Sequence, residues 1–131
     1  PKATRPWQHV LEPLSGYLLL GQRLLEGKKE FADGWNFGPS EEGNYNVGDV
    51  LLELKKYWDK VEFKFEVNSQ NPHEANLLKL DCSKANIKLG WKPTWDSKTA
   101  FKRTIKWYKN FYENGEISTN DDLENYMDNI K

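Results

Sequence analysis

The sequence predicts a small α+β domain with four or five helices and about three short strands. Three observations carry that expectation. Apolar residues recur at helical spacing in several segments, and three of those segments stop at a glycine, Gly27, Gly90 or Gly115. The run Val61-Glu62-Phe63-Lys64-Phe65-Glu66-Val67 alternates strictly, as a half-buried strand does. The chain has 131 residues and no internal repeat, enough for one domain with a modest core.

The elements follow in order. Val10, Leu11, Leu14, Tyr17, Leu18, Gly21, Leu24 and Leu25 predict an amphipathic helix over about 9–26. Pro13 falls in its first turn, where a missing N–H costs little, and Gly27 follows its last periodic residue. "RPWQH" is then the loop that enters this helix. Gly34–Pro39 reads as a short strand ending in a turn, and "SEEGNYN" as loop. Asn46 is a cap with Asp49 three residues on, opening a helix whose apolar face is Val50, Leu51, Leu54, Tyr57 and Trp58. After the alternating strand, "NSQNPHE" is polar loop and Leu77–Leu80 a third strand. Asp81 caps a short helix of about 82–89, "WKPTW" is a rigid connection, and Asp96 caps a long helix over about 97–113. Ala100, Phe101, Ile105, Tyr108, Phe111 and Tyr112 are its core candidates. Ser118 or Thr119 caps a last helix over about 120–130.

Composition narrows the function. With 19 Lys+Arg against 20 Asp+Glu, the charge is -1, too balanced for a general nucleic-acid binder but compatible with one local anion site. One cysteine, Cys82, rules out an internal disulfide framework; a reducing compartment is expected, with Cys82 as a small buried residue. No apolar run approaches a membrane span, and no signal peptide opens the chain. The start Pro1-Lys2-Ala3, without Met, is read as that of a piece cut from a longer protein.

Several chemistries lack their residues. Neither G-x-G-x-x-G nor G-x-x-x-x-G-K-[ST] occurs, so no glycine turn lets a backbone approach a pyrophosphate. No Tyr precedes a Lys by four, and there is no G-x-S-x-G elbow. His9, His73 and Cys82 are too far apart in sequence to suggest a metal site. Two constellations remain. Arg5, Trp7, Gln8 and His9 stand at a helix entrance, where free N–H groups and a partial positive charge suit an anion and an arginine adds a bidentate phosphate donor. They equally fit a loop with a surface arginine and a core tryptophan. Gln70, Asn71, His73, Glu74 and Asn76 can grip hydroxyls or a base edge, or form an ordinary polar loop. Trp107, Tyr108, Phe111 and Tyr112 read as core rather than as a stacking platform.

Taken in order, "RPWQHVLEPLSGYLLLGQRLLEG", "WNFGP", "PHEANLLKLDCSKANIKLGWKPTWD" and "AFKRTIKWYKNFYE" resemble the C-terminal part of the CDP-glucose 4,6-dehydratases, nucleotide-sugar enzymes of the extended short-chain dehydrogenase/reductase family. The resemblance runs from Arg5 to about Tyr112 and weakens at the tail. "RPWQHVLEP" and "HEANLLKLDCSKA…LGW" are its specific parts; D-x-S-K-A…L-G-W alone also fits nucleotide-sugar epimerases.

The resemblance implies that residues 1–131 are the C-terminal nucleotide-sugar-binding domain of a two-part cytoplasmic enzyme. NAD and the Tyr-x-x-x-Lys pair then belong to an N-terminal Rossmann domain, and this part alone binds no cofactor or metal and is inactive. The substrate is CDP-glucose or a related nucleotide-sugar. It is converted to CDP-4-keto-6-deoxyglucose and water, on the way to deoxysugars of surface polysaccharides. Arg5 matches the arginine that approaches the substrate pyrophosphate. Trp7 and Gln8 belong to the same substrate-binding motif, and His9 is its structural support. Many relatives carry a second phosphate-binding arginine in the loop before the third strand; here Asn71 and His73 stand in that region. The intact enzyme is expected to be a homo-oligomer, and helix 9–26, freed from the Rossmann part, to drive self-association. Other readings are another NAD-dependent epimerase or dehydratase, a non-catalytic nucleotide-sugar-binding module, and a helical domain that binds protein.

Overall fold

Two helices in this chain open on side chains that stand in for missing backbone partners. In the computed structural model, which describes residues 3–40, 42, 44–64 and 78–130, Asn46 Oδ1 accepts from Asp49 N (2.9 Å) and opens α2, Val47–Tyr57. Asp96 Oδ1 accepts from Thr99 N (2.7 Å) and opens α3, Ser97–Asn114. The first helix, α1, spans Leu11–Leu25 and is followed by Gly27 at φ 80. Gly90 (φ 75) ends a π-helical turn, Ala85–Leu89, and Gly115 (φ 70) ends α3. All three glycines adopt the left-handed conformation that closes a helix. A 3-10 turn occupies Lys29–Phe31.

The last helix, α4, spans Thr119–Asn129 without the expected cap. Ser118 stands at the cap position, but its backbone (φ -94, ψ 24) is not extended and its side chain makes no capping bond. Thr119 Oγ1 instead accepts from Trp107 Nε1 (2.9 Å).

The class is mixed α+β, as expected, but the strands lie elsewhere. Among the described residues two strands pair, antiparallel: β1, Thr4–Pro6, and β2, Asn44–Asn46, with Thr4 opposite Asn46, Arg5 opposite Tyr45 and Pro6 opposite Asn44. Both fall in stretches that read as loop, being too short to show alternation. Gly34–Pro39 forms no strand, because side chains occupy its carbonyls instead of a ladder: Gln8 Nε2 donates to Phe37 O (2.9 Å) and Lys84 Nζ to Gly34 O (2.9 Å). Residues 61–64 and 78–80 are not strand either; Phe65, Glu66, Val67 and Leu77 lie outside the described residues.

One core cluster joins Phe37, Ala85, Leu89 and Trp91, with Leu19, Leu20, Phe31 and Trp35 packed against it. A second packs α2 on α3 through Val50, Phe101 and the Tyr45 ring, which meets Phe101 edge-on at 5.4 Å. Ala100, Phe101 and Ile105 are buried as expected, whereas Tyr108, Phe111 and Tyr112 are exposed. The regular turns of α2 stop at Tyr57, so the end of α3 carries surface stacks instead, Trp58 on Tyr112 and Trp107 on Phe111. Cys82 is half-buried, and desolvation pushes its thiol pKa up.

Candidate functional site

The segment from β1 into α1 gathers the polar residues singled out in the sequence. Pairing with β2 fixes Arg5 opposite Tyr45, and Arg5 Nη1 donates to Thr4 O (2.8 Å). Trp7 Nε1 donates to Tyr45 O (2.9 Å), tying the exit of β1 to the middle of β2. Gln8 Nε2 reaches Phe37 O (2.9 Å), while Gln8 Oε1 is buried without a hydrogen-bond partner among the described residues. His9 is buried edge-on against Trp95 (4.9 Å), and its Nδ1 accepts from Leu11 N (3.3 Å). That bond leaves the ring proton on Nε2. Desolvation lowers the His9 pKa below its ordinary 6.5, against the opposing pull of Asp122 and Glu12.

Three residues further on lies Glu12, 1% exposed. Its carboxylate accepts from Trp95 N (2.7 Å), Thr94 N (2.9 Å) and Tyr126 Oη (2.7 Å). Ser15 extends the network, donating to Glu12 O (2.7 Å), lying 3.0 Å from Tyr126 Oη and accepting from Trp91 Nε1 (2.8 Å). One α1 carboxylate therefore joins α1, the "WKPTW" connection and α4. A buried charge is tolerated only with such a full set of donors.

Beside this joint a cleft of about 440 Å³ opens between the α1 entrance and the facing turns of α3 and α4. Gln8, His9, Val10 and Leu11 form one wall; Thr104, Trp107 and Tyr108 form the second, and Thr119 and Asp122 the third. Asp122 is buried and paired with Arg103 (3.4 Å).

Arg5, Trp7, Gln8 and His9 are thus consecutive parts of one junction, whereas Asn71 and His73 lie outside the described residues. The sequence reading missed Glu12, Ser15, Tyr126, Thr104 and Asp122. One signal was available: Glu12, Ser15, Gly16 and Leu19 form a helical stripe of their own. None singled out Tyr126. Gly27, Gly90 and Gly115, the glycines with positive φ among the described residues, each sit at a helix C-terminus. Among the described residues no group of His, Cys, Asp and Glu is placed to hold a metal, and no helix is long and apolar enough to cross a membrane.

These features define a small α+β domain in which a β-paired arginine leads into an apolar helix anchored by a buried glutamate. No protein-family model matches the chain. It is similar to CDP-glucose 4,6-dehydratase of Salmonella typhimurium strain LT2, with 45% identity over 109 residues. Those residues are 83% of this chain, and the match spans 30% of that enzyme's length, in its C-terminal part.

Proposed function

We propose that residues 1–131 are the substrate-binding portion of a CDP-glucose 4,6-dehydratase. The observation that carries this reading is the 45% identity over 109 residues. In it, the whole cytoplasmic enzyme converts CDP-glucose to CDP-4-keto-6-deoxyglucose and water, and NAD belongs to a separate dinucleotide-binding domain. Arg5 binds the substrate pyrophosphate, held on a paired strand just before a helix N-terminus, where dipole and guanidinium favour the same anion. Trp7 and Gln8 hold that strand and the Phe37 segment in register, and His9 supports the turn. Asn71 and His73 provide the second polar contact. The chain alone binds CDP-glucose weakly and does not turn it over.

A chimera tests this. The matching C-terminal part of the Salmonella enzyme is replaced by this chain, and the product is followed from CDP-glucose. The expected product is the 4-keto-6-deoxy sugar nucleotide. A folded chimera that gives a C4 epimer, or no product, overturns the reading. Arg5→Ala in the chimera weakens substrate binding by ~1–3 kcal/mol, the size of a charge-assisted hydrogen bond; an unchanged KM and turnover removes Arg5 from the site.

A further inference from the structure

An aspartate or asparagine followed by glycine carries a chemistry of its own. Glycine has no Cβ, so its backbone nitrogen can approach the side-chain carbonyl carbon that precedes it. Two such bonds occur in the chain, Asp33-Gly34 and Asn114-Gly115. We propose that Asp33-Gly34 is a site of spontaneous isoaspartate formation and that Lys84 restrains it. The site lies outside the nucleotide-sugar reading and does not rest on it.

The geometry separates the two bonds. Gly115 N donates to Phe111 O (2.9 Å) at the left-handed end of α3, so it is occupied until that turn opens. Gly34 N donates instead to Asp33 Oδ1 (2.7 Å), which holds the nucleophile beside the carboxyl that it attacks. The Asp33 side chain is 65% exposed, so water reaches it. The backbone does not require glycine at 34: its φ is not positive, and a Cβ there would meet open space.

The reaction takes no partner but water. Gly34 N loses its proton to solvent and bonds to Asp33 Cγ. The C–O bond of the protonated carboxyl breaks, water leaves, and a succinimide ring closes. A second water adds to the former backbone carbonyl of Asp33 and breaks its bond to Gly34 N. The main chain then runs through Cγ, the α-carboxyl is free, and the composition is unchanged.

The carboxyl must be protonated for its oxygen to leave as water, and Lys84 opposes that form. Its ammonium pairs with Asp33 Oδ2, donates to Gly34 O (2.9 Å) and lies over the Trp35 ring at 4.6 Å. The Lys84 hydrogen bond is the main reason that the Asp33 carboxyl titrates below its ordinary 3.8. The same contacts hold both sides of the reacting bond still. Isomerisation adds a methylene to the main chain just before Trp35, which packs on the core cluster, and moves the carboxylate away from Lys84.

The test incubates the 131-residue chain in warm neutral buffer. Isoaspartate is located by peptide mapping with electron-transfer fragmentation, and counted by methyl transfer from S-adenosylmethionine with an isoaspartate methyltransferase. The expected result is isoaspartate at position 33 at unchanged mass. Lys84→Met, which keeps the length of a half-buried side chain, speeds its formation about threefold, the worth of a surface ion pair. Lys84→Arg restores the slow rate. Molar salt, which screens the pair without altering packing, speeds the parent but not Lys84→Met. Gly34→Ala, which fits without strain, suppresses the reaction. No isoaspartate at 33 in the parent or in Lys84→Met, a Lys84→Met rate equal to the parent's, equal acceleration of both by salt, or an undiminished rate in Gly34→Ala overturns the proposal. None of these results depends on whether the chimera dehydrates CDP-glucose.

Discussion

Along α1, the stripe of Glu12, Ser15, Gly16 and Leu19 faces the rest of the chain, while Leu14, Tyr17, Leu18 and Leu25 face outward. The inward stripe holds a carboxylate that is 1% exposed; the outward one leaves Leu18 77% and Leu25 92% exposed. Counted by hydrophobicity, the helix is inside out. The inward side is stable because every acceptor on Glu12 meets a donor and because Gly16 lets the Phe37 ring lie directly on the backbone. No described residue covers the outward side to the same extent. A buried charge with a complete set of donors thus packs where leucines do not, and an apolar period marks a face that wants a partner without naming it.

The largest effect expected from breaking this contrast is at Glu12. Glu12→Ala strands two backbone N–H groups and the Tyr126 hydroxyl in a void, and urea unfolding should show a loss of about 3–5 kcal/mol. Glu12→Gln, which keeps shape and one acceptor, should lose less. A loss for Glu12→Ala within about 1 kcal/mol, the worth of one ordinary hydrogen bond, would show that the joint is not the anchor described. Next comes Gly16→Ala. The added Cβ overlaps the Phe37 ring, and overpacking of this kind costs about 1–3 kcal/mol. Unchanged thermal stability of that variant would mean that the ring moves aside freely.

A smaller effect concerns His9. Burial holds its folded pKa below 6.5, so the unfolded chain takes up the proton first as pH falls. The neutral ring therefore contributes stability fully above 6.5, and that contribution fades as pH drops through 6.5 toward the lower folded value. An NMR titration of the His9 ring should give a midpoint below 6.5, and His9→Asn should flatten stability over that window. A midpoint at or above 6.5 contradicts the burial argument. The smallest change in stability is expected on the outward side. Leu18→Lys with Leu25→Lys should alter unfolding by no more than about 0.5 kcal/mol, as exposed positions do. The parent chain is expected to self-associate through this face in light scattering, and the same pair should abolish that association. A parent chain that stays monomeric at all concentrations would remove that face from consideration as a contact surface.

Helix boundaries were legible because they depend on local chemistry. Asn46 and Asp96 accept from the third residue of their helices, and Gly27, Gly90 and Gly115 take the left-handed turn that few other residues tolerate. Strands were not legible, because a strand is defined by its partner. Gly34–Pro39 is bonded by side chains from distant segments, and the three residues of β1 and of β2 carry no period. The site was partly legible. "RPWQH" is the junction it was read as, but the partners of its polar groups, at Tyr45, Phe37 and Trp95, lie 29 to 86 residues away. Glu12 escaped notice because an acidic residue in a first helical turn is commonplace on a surface. Only Thr94, Trp95 and Tyr126, from the far end of the chain, make it a buried anchor.

The tryptophans have a consequence of another kind. Five of the six indole N–H groups are hydrogen-bonded, each at a different place: Trp7 to Tyr45, Trp35 to Phe31, Trp58 to Glu113, Trp91 to Ser15 and Trp107 to Thr119. Indole protons resonate apart from the backbone, so their exchange with deuterium reads each place separately. The Trp58 proton, bonded to an exposed carboxylate at the end of α3, should exchange early. The Trp91 proton, shut behind Ser15 and Tyr126, should wait for the whole domain to open. The chain carries a built-in clock for the order in which it comes apart.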